Sequence, residues 1–143
     1  MRIPSPTYQW RKNGFDIAGQ TNSVLTLSNL TTNDEANYSV FVVNGVGSVI
    51  SDTVHLTVGQ PPIITVQPVN LIVKKGDTTT ISVTATGTPT LYYQWFKDGV
   101  GTSHFGPSFS LINITTNSAG NYYVVITNAY GVLQSSTINL NVL

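Results

Sequence analysis

The 143-residue chain carries six Lys/Arg against six Asp/Glu, 8% charged residues, 41% hydrophobic residues and no cysteine, where an average soluble domain is about 25% charged. Charge this sparse and balanced leaves no basic surface for phosphates, so nucleic-acid binding is excluded. The missing cysteine removes a disulfide, a thiolate zinc site and a cysteine nucleophile together.

Ser, Thr and Asn replace the charge and make up roughly a third of the chain, well above ordinary usage. Met1-Arg2-Ile3 lacks the order of charged, apolar and small residues that marks a signal peptide. No apolar run approaches the ~20 residues of a membrane helix, so no membrane insertion is expected. The first recognisable element is Tyr8-Gln9-Trp10, and it recurs 85 residues later as Tyr93-Gln94-Trp95. Lys12-Asn13-Gly14 returns at the same offset as Lys97-Asp98-Gly99. Asn37-Tyr38 returns 84 residues later as Asn121-Tyr122, Asn44 and Gly47 as Asn128 and Gly131, and His55–Val58 aligns with Asn139–Val142. Several matches in register across a single-residue gap define a duplicated domain. The expected organisation is a partial copy over residues 1–58, a stiff Gly-Gln-Pro linker at 59–61, and a complete copy over 62–143.

β-branched residues and period-2 alternation dominate, with no useful amphipathic helical stretch. In the second copy strands are expected over Ile63–Gln67, Leu71–Lys74, Thr79–Thr86, Leu91–Lys97, Ser108–Ile114, Asn121–Asn128 and Val132–Val142. Turn signals such as Lys75-Gly76-Asp77 and Lys97-Asp98-Gly99 separate them. About seven short strands at this spacing predict an all-β, two-sheet antiparallel sandwich. Alternation points Ile81, Val83 and Ala85 inward on one strand, Leu91, Tyr93 and Trp95 on the next, and Tyr122, Val124 and Ile126 near the end. Trp95 is then the centre of the core, flanked by Val83 and Val124 from opposite sheets.

Gly76, Val83, Trp95 and Gly120-Asn121-Tyr122-Tyr123-Val124, in this spacing, resemble an immunoglobulin-like domain of the intermediate-set type. The first copy repeats the pattern with Trp10, Tyr38 and Val40. Fibronectin type III is the nearest rival and fits less well in the placement of its Trp. The resemblance implies that Val83 and Val124 stand where the family places its inter-sheet cysteines, and that Tyr122 is a tyrosine corner. Disulfide-free members and the Thr/Asn/Ser-rich composition point to a bacterial or phage protein rather than a Lys/Glu-rich muscle module. The localisation implied is extracellular, on a cell surface or on a virion.

Only nine residues precede Trp10, so the first copy is expected to lack its two N-terminal strands. Two readings stand. The chain is a piece of a longer one, or a neighbouring subunit supplies strands to the open edge of the first domain.

The sequence holds no recognisable active site. The six carboxylates are scattered, the adjacent Asp34-Glu35 pair points apart on a turn, and no cofactor or metal is expected. His55 and His104 lack the spacing of a metal pair, and no Gly-x-Ser-x-Gly elbow occurs. Binding is the remaining activity. If Trp95 points in, Tyr92, Gln94 and Phe96 point out, joined by Tyr123 on the adjacent strand. The loops Gly99–Gly106, with His104 and Phe105, and Ala129-Tyr130-Gly131 are further candidates. Flat aromatics beside an amide suit a cell-surface glycan or a protein partner. The function expected is a non-catalytic adhesion or recognition module binding weakly through many copies. The alternatives are a spacer or assembly subunit of a fibre, appendage or capsid decoration, and an accessory domain of a secreted hydrolase.

Overall fold

The computed structural model describes residues 4–143; Met1-Arg2-Ile3 lie outside them. The chain divides into two compact units, Met1–Val58 and Gly59–Leu143.

In the first unit β1 (Thr7–Lys12) and β2 (Phe15–Asp16) form a hairpin. β3 (Ala36–Val43), β4 (Ser48–Ile50) and β5 (Val54–Leu56) complete one five-stranded sheet in the order β2-β1-β3-β4, with β5 also on β3. The two-residue turn at Asn13-Gly14 has φ of 51° and 84°. Positive φ at both positions suits a hairpin turn whose twist matches its strands, and Asn-Gly is the pair that adopts it at least cost.

The second unit contributes β6 (Ile63–Val66), β7 (Leu71–Val73), β8 (Thr79–Ser82), β9 (Thr84–Thr86) and β10 (Tyr92–Lys97). β11 (Val100–Gly101), β12 (Ser108–Leu111), β13 (Gly120–Asn128), β14 (Gly131–Gln134) and β15 (Ile138–Val142) follow. One layer is the six-stranded sheet β11-β10-β13-β15-β7, with β14 also on β13; the β12-β8 and β6-β9 pairs form the other. The expected all-β immunoglobulin-like sandwich is therefore present. It departs from the antiparallel expectation at one seam, where β7 runs parallel to β15 with Leu71 opposite Leu140. Two expected strands are also divided: Thr79–Thr86 breaks at Val83, and Val132–Val142 breaks at Ser135.

The second break has a local cause. Ser135 is buried and replaces a backbone partner: the Val124 N–H donates to Ser135 Oγ at 2.9 Å, and that hydroxyl donates to Ser136 O at 3.0 Å. Ser51 repeats this in the first unit on Val40 and Asp52, each at 2.9 Å. A side chain that accepts from one strand and donates along its own lets the chain change direction without leaving a polar group unsatisfied.

The core of the second unit is centred on Trp95, which is 0% exposed, with Ile81, Val83, Phe109, Tyr122, Val124, Ile126, Ile138 and Leu140 around it. Phe109 meets Trp95 and Tyr122 edge-on, at 6.1 and 5.7 Å between ring centres. Both indoles are tethered alike: Trp95 Nε1 donates to Gly106 O and Trp10 Nε1 to Asn22 O, each at 2.9 Å. Both tyrosine corners close too, Tyr122 Oη onto Ser118 O at 2.6 Å and Tyr38 Oη onto Asp34 O at 2.7 Å. The units differ in what covers these groups. Trp10 and Val40 are only half-buried, although Tyr38 is buried. The residues expected to form a linker are bound into the second unit, where Asn128 Nδ2 donates to Gln60 O at 2.7 Å and Gln60 N–H donates to Thr88 Oγ1 at 2.8 Å.

Burial raises the pKa of Tyr122 above the usual 10.0, and the nearby Asp98 carboxylate adds to the shift. Tyr38 shifts the same way, by burial and then by Asp34. A folded-state pKa above the unfolded one gives a contribution fully present below pH 10.0 and lost as pH rises through the raised value. Stability of the second unit is therefore expected to fall in the alkaline range. Tyr122→Phe is expected to cost about 1 kcal/mol at neutral pH through the lost hydrogen bond, and to flatten the alkaline fall. Urea unfolding followed from pH 7 to above 10 checks both.

Candidate functional site

β10 and β13 lie side by side with Tyr92 opposite Thr127, Gln94 opposite Val125 and Phe96 opposite Tyr123. Trp95 between them is buried, so period-2 alternation turns all six of these residues to the outer face. Phe96 and Tyr123 stack face to face, 5.0 Å apart and 10° from parallel. Tyr92 is 65% exposed. Beside it lies an open groove of about 650 Å³, whose walls are Tyr92, Gln94, Phe96, Val125 and Thr127 on the sheet and Phe105, Gly106 and Pro107 on the following loop. Leu91 and Tyr93 also line it.

The loop is held in place by backbone bonds from β10. Trp95 N–H donates to His104 O at 3.1 Å, and Thr102 N–H to Trp95 O at 2.9 Å. Gln94 Nε2 reaches Thr102 O at 3.5 Å, a long contact. Gly101 sits under that amide, where a Cβ would fall 2.8 Å from Gln94 Nε2. The groove walls carry no charged residue.

Tyr92, Gln94, Phe96 and Tyr123 are thus brought together. His104 is not. Its ring lies flat on buried Phe109 at 3.7 Å, because the loop turns this side chain toward the core. The neighbouring Phe105 takes the outward position and is 71% exposed. The sequence points to this loop with both rings, and Phe105 rather than His104 is the one that lines the groove. Alternation is a strand property and does not extend into a loop, so no local signal separates them. Tyr130 is also elsewhere. Its ring covers Gly59, where a Cβ would come within 2.0 Å of it, so this tyrosine packs on the main chain that enters the unit.

Among the described residues the corresponding face of the first unit is filled differently. Arg11 and Phe41 occupy the positions of Phe96 and Val125, with the Arg11 guanidinium 4.9 Å over the Phe41 ring and Nε 2.9 Å from Asp16. Among the described residues no cluster of His, Cys, Asp or Glu is arranged to hold a metal ion, and no helix is long and apolar enough to cross a membrane.

Residues 61–128 match the family model described as immunoglobulin domain. The second unit is an immunoglobulin-like domain. Proteins similar to this chain include hemicentin-1 of Homo sapiens, 32% identical over 90% of the chain and 3% of the relative. Endoglucanase C of Cellulomonas fimi is 30% identical over 98% of the chain and 14% of its own length. Neuronal cell adhesion molecule of Mus musculus is 26% identical over 99% and 12%. The chain therefore spans a small part of each of these proteins. Among solved structures, a three-immunoglobulin fragment of titin, I67–I69 in a variant form, aligns with TM-score 0.79 at 22% identity, over 99% of this chain and 56% of that one. The Ig1–2 module of the Drosophila receptor protein tyrosine phosphatase DLAR aligns with TM-score 0.56 at 26% identity, over 96% and 84%.

The stacked Phe96–Tyr123 pair forms the platform beside the groove. Aromatic pairs of this kind contribute about 0.5–1.5 kcal/mol beyond their burial. A double-mutant cycle on Phe96→Leu and Tyr123→Leu is expected to give a coupling energy in that range. Additive effects would show that the rings do not support each other.

Proposed function

We propose that the protein is a non-catalytic adhesion module of a secreted or surface-displayed protein of bacterial or phage origin, and that the groove of its second unit binds a neutral surface glycan. The observation that carries this reading is the pair of exposed rings, Tyr92 and Phe105, lining one uncharged groove together with an amide and a hydroxyl, Gln94 and Thr127. Flat ring faces pack against the C–H faces of a pyranose, and neutral donors and acceptors orient its hydroxyls. The names of the relatives support a binding role, since one is a neuronal cell adhesion molecule. The absence of cysteine and the Thr/Asn/Ser-rich composition support the bacterial or phage origin. The match to an endoglucanase of Cellulomonas fimi favours a second reading, in which the chain is an accessory part of a secreted hydrolase and holds it near polysaccharide.

One groove of this size binds weakly, and useful retention comes from repeated copies on one surface. Tyr92→Ala combined with Phe105→Ala is expected to weaken glycan-array binding at least ~tenfold, or ~1.4 kcal/mol, with the thermal transition unchanged. Because the groove is uncharged, binding is expected to hold between low and physiological salt. Undiminished binding by the double variant, or a steep salt dependence, would remove the groove from the function.

A further inference from the structure

Asn-Gly occurs twice in the sequence, at Asn13-Gly14 and Asn44-Gly45, both in the first unit. This pair is open to a reaction of the chain with itself. The glycine nitrogen, unshielded by a Cβ, can attack the Cγ of the preceding side-chain amide. The two sites have opposite surroundings, and the repeat supplies a reference for each.

At Asn13 the side chain is committed to the neighbouring strand. Asn13 Oδ1 accepts from the Asn37 N–H at 3.0 Å, and the Asn13 N–H donates to Asn37 O at 2.7 Å. The second unit holds Asp98 in the same bracket, its Oδ1 accepting from the Asn121 N–H at 2.9 Å and its N–H donating to Asn121 O at 2.8 Å. The side chain at this corner ties two strands together, and Gly14 is fixed in its turn at φ 84°. Ring closure there would break the cross-strand bond.

Asn44 differs. It lies between β3 and β4, and its Oδ1 accepts from the Val46 and Gly47 N–H groups at 2.9 and 3.1 Å. The amide is therefore folded forward along the loop that contains the Gly45 nitrogen. As that nitrogen adds to Cγ, negative charge builds on Oδ1, where two N–H donors already stand to stabilise it. Nothing in the fold demands glycine at 45: its φ lies outside the left-handed region and a Cβ would meet nothing within 4 Å. Gly45 and Val46 are exposed, so water reaches the loop. The second unit has Asn128-Ala129 here, and Asn128 Nδ2, the nitrogen that would leave, donates to Gln60 O at 2.7 Å and Thr88 O at 3.0 Å.

We infer that Asn44 is a site of spontaneous deamidation, selected over Asn13 by the fold. The Gly45 N–H gives its proton to water or hydroxide, the N–Cγ bond forms, and the Cγ–Nδ2 bond breaks with loss of ammonia. The succinimide then adds water at one of its two carbonyls, leaving aspartate or isoaspartate. No oxidant or reductant takes part. Either product adds a negative charge to a chain whose six acidic and six basic residues balance. Aspartate can keep the bonds from Val46 and Gly47, whereas isoaspartate carries the backbone through Cβ and lengthens the loop. This inference is independent of the ligand groove, which lies on the other unit.

The test is peptide mass mapping of the 143-residue protein aged in neutral buffer. Chymotrypsin separates the two sites by cutting at Phe15 and Phe41. In the native protein conversion at Asn44 is expected to outrun that at Asn13 by at least ~tenfold. In guanidinium chloride, where only the shared glycine remains, the two rates are expected to converge. Gly45→Ala, which copies the second unit, is expected to slow conversion at Asn44 by at least ~tenfold with the unfolding transition unchanged. Equal native rates, or faster conversion at Asn13, would overturn the inference. So would an intact Asn44 in the native protein after the unfolded chain has fully converted.

Discussion

A β-sheet with one apolar face is stable only when a second layer takes that face out of water, and this requirement governs both halves of the molecule. Around Trp95 it is met. The indole has no exposed surface, its N–H has a carbonyl partner, and Ile81, Val83 and Phe109 join it in the core. Around Trp10 the same indole hydrogen bond and the same tyrosine corner are present, but among the described residues Trp10 and Val40 stay only half-buried beside an open trough. The repeat therefore separates two contributions usually met together. Local hydrogen bonds set the path of the chain, and apolar burial from the opposite layer closes the core.

The second unit achieves this closure without a covalent link between its layers. A native disulfide contributes about 2–5 kcal/mol to a small domain, and fully burying a valine contributes about 1.5–3 kcal/mol. Val83 and Val124 are 4% and 0% exposed, so two buried valines offset a large part of the missing bridge. Ser135 addresses a different problem on the same strand. Its hydroxyl satisfies the Val124 N–H at the point where β14 gives way to β15, so the break in pairing leaves no orphaned donor in the core.

The outer face follows from the inner one. Once Trp95, Val124 and Ile126 are committed inward, the intervening Tyr92, Gln94, Phe96, Tyr123 and Val125 have no choice but the opposite side. A groove arises there because the loop after β11 brings Phe105, Gly106 and Pro107 to line the same space as Tyr92. The first unit has a related hairpin but places Arg11 over Phe41 at the equivalent positions. Equivalent positions of the duplicated scaffold are thus filled differently in the two copies.

Much of this was legible in the residues alone. The duplication, the sandwich, the buried tryptophan, the tyrosine corners and the outward set Tyr92, Gln94, Phe96 and Tyr123 all follow from spacing, alternation and family resemblance. These are local or periodic quantities, and a period-2 pattern fixes the facing of every residue on a strand once one is assigned. Where the chain leaves the strand, that logic stops. Whether His104 or Phe105 faced outward, that Tyr130 packs on Gly59, that β7 runs parallel to β15, and that Ser51 and Ser135 bridge the sheet edge were decided by contacts between residues far apart in the chain. Such contacts depend on which loop carbonyls and ring faces meet after the two layers close, and no short window of sequence contains both partners.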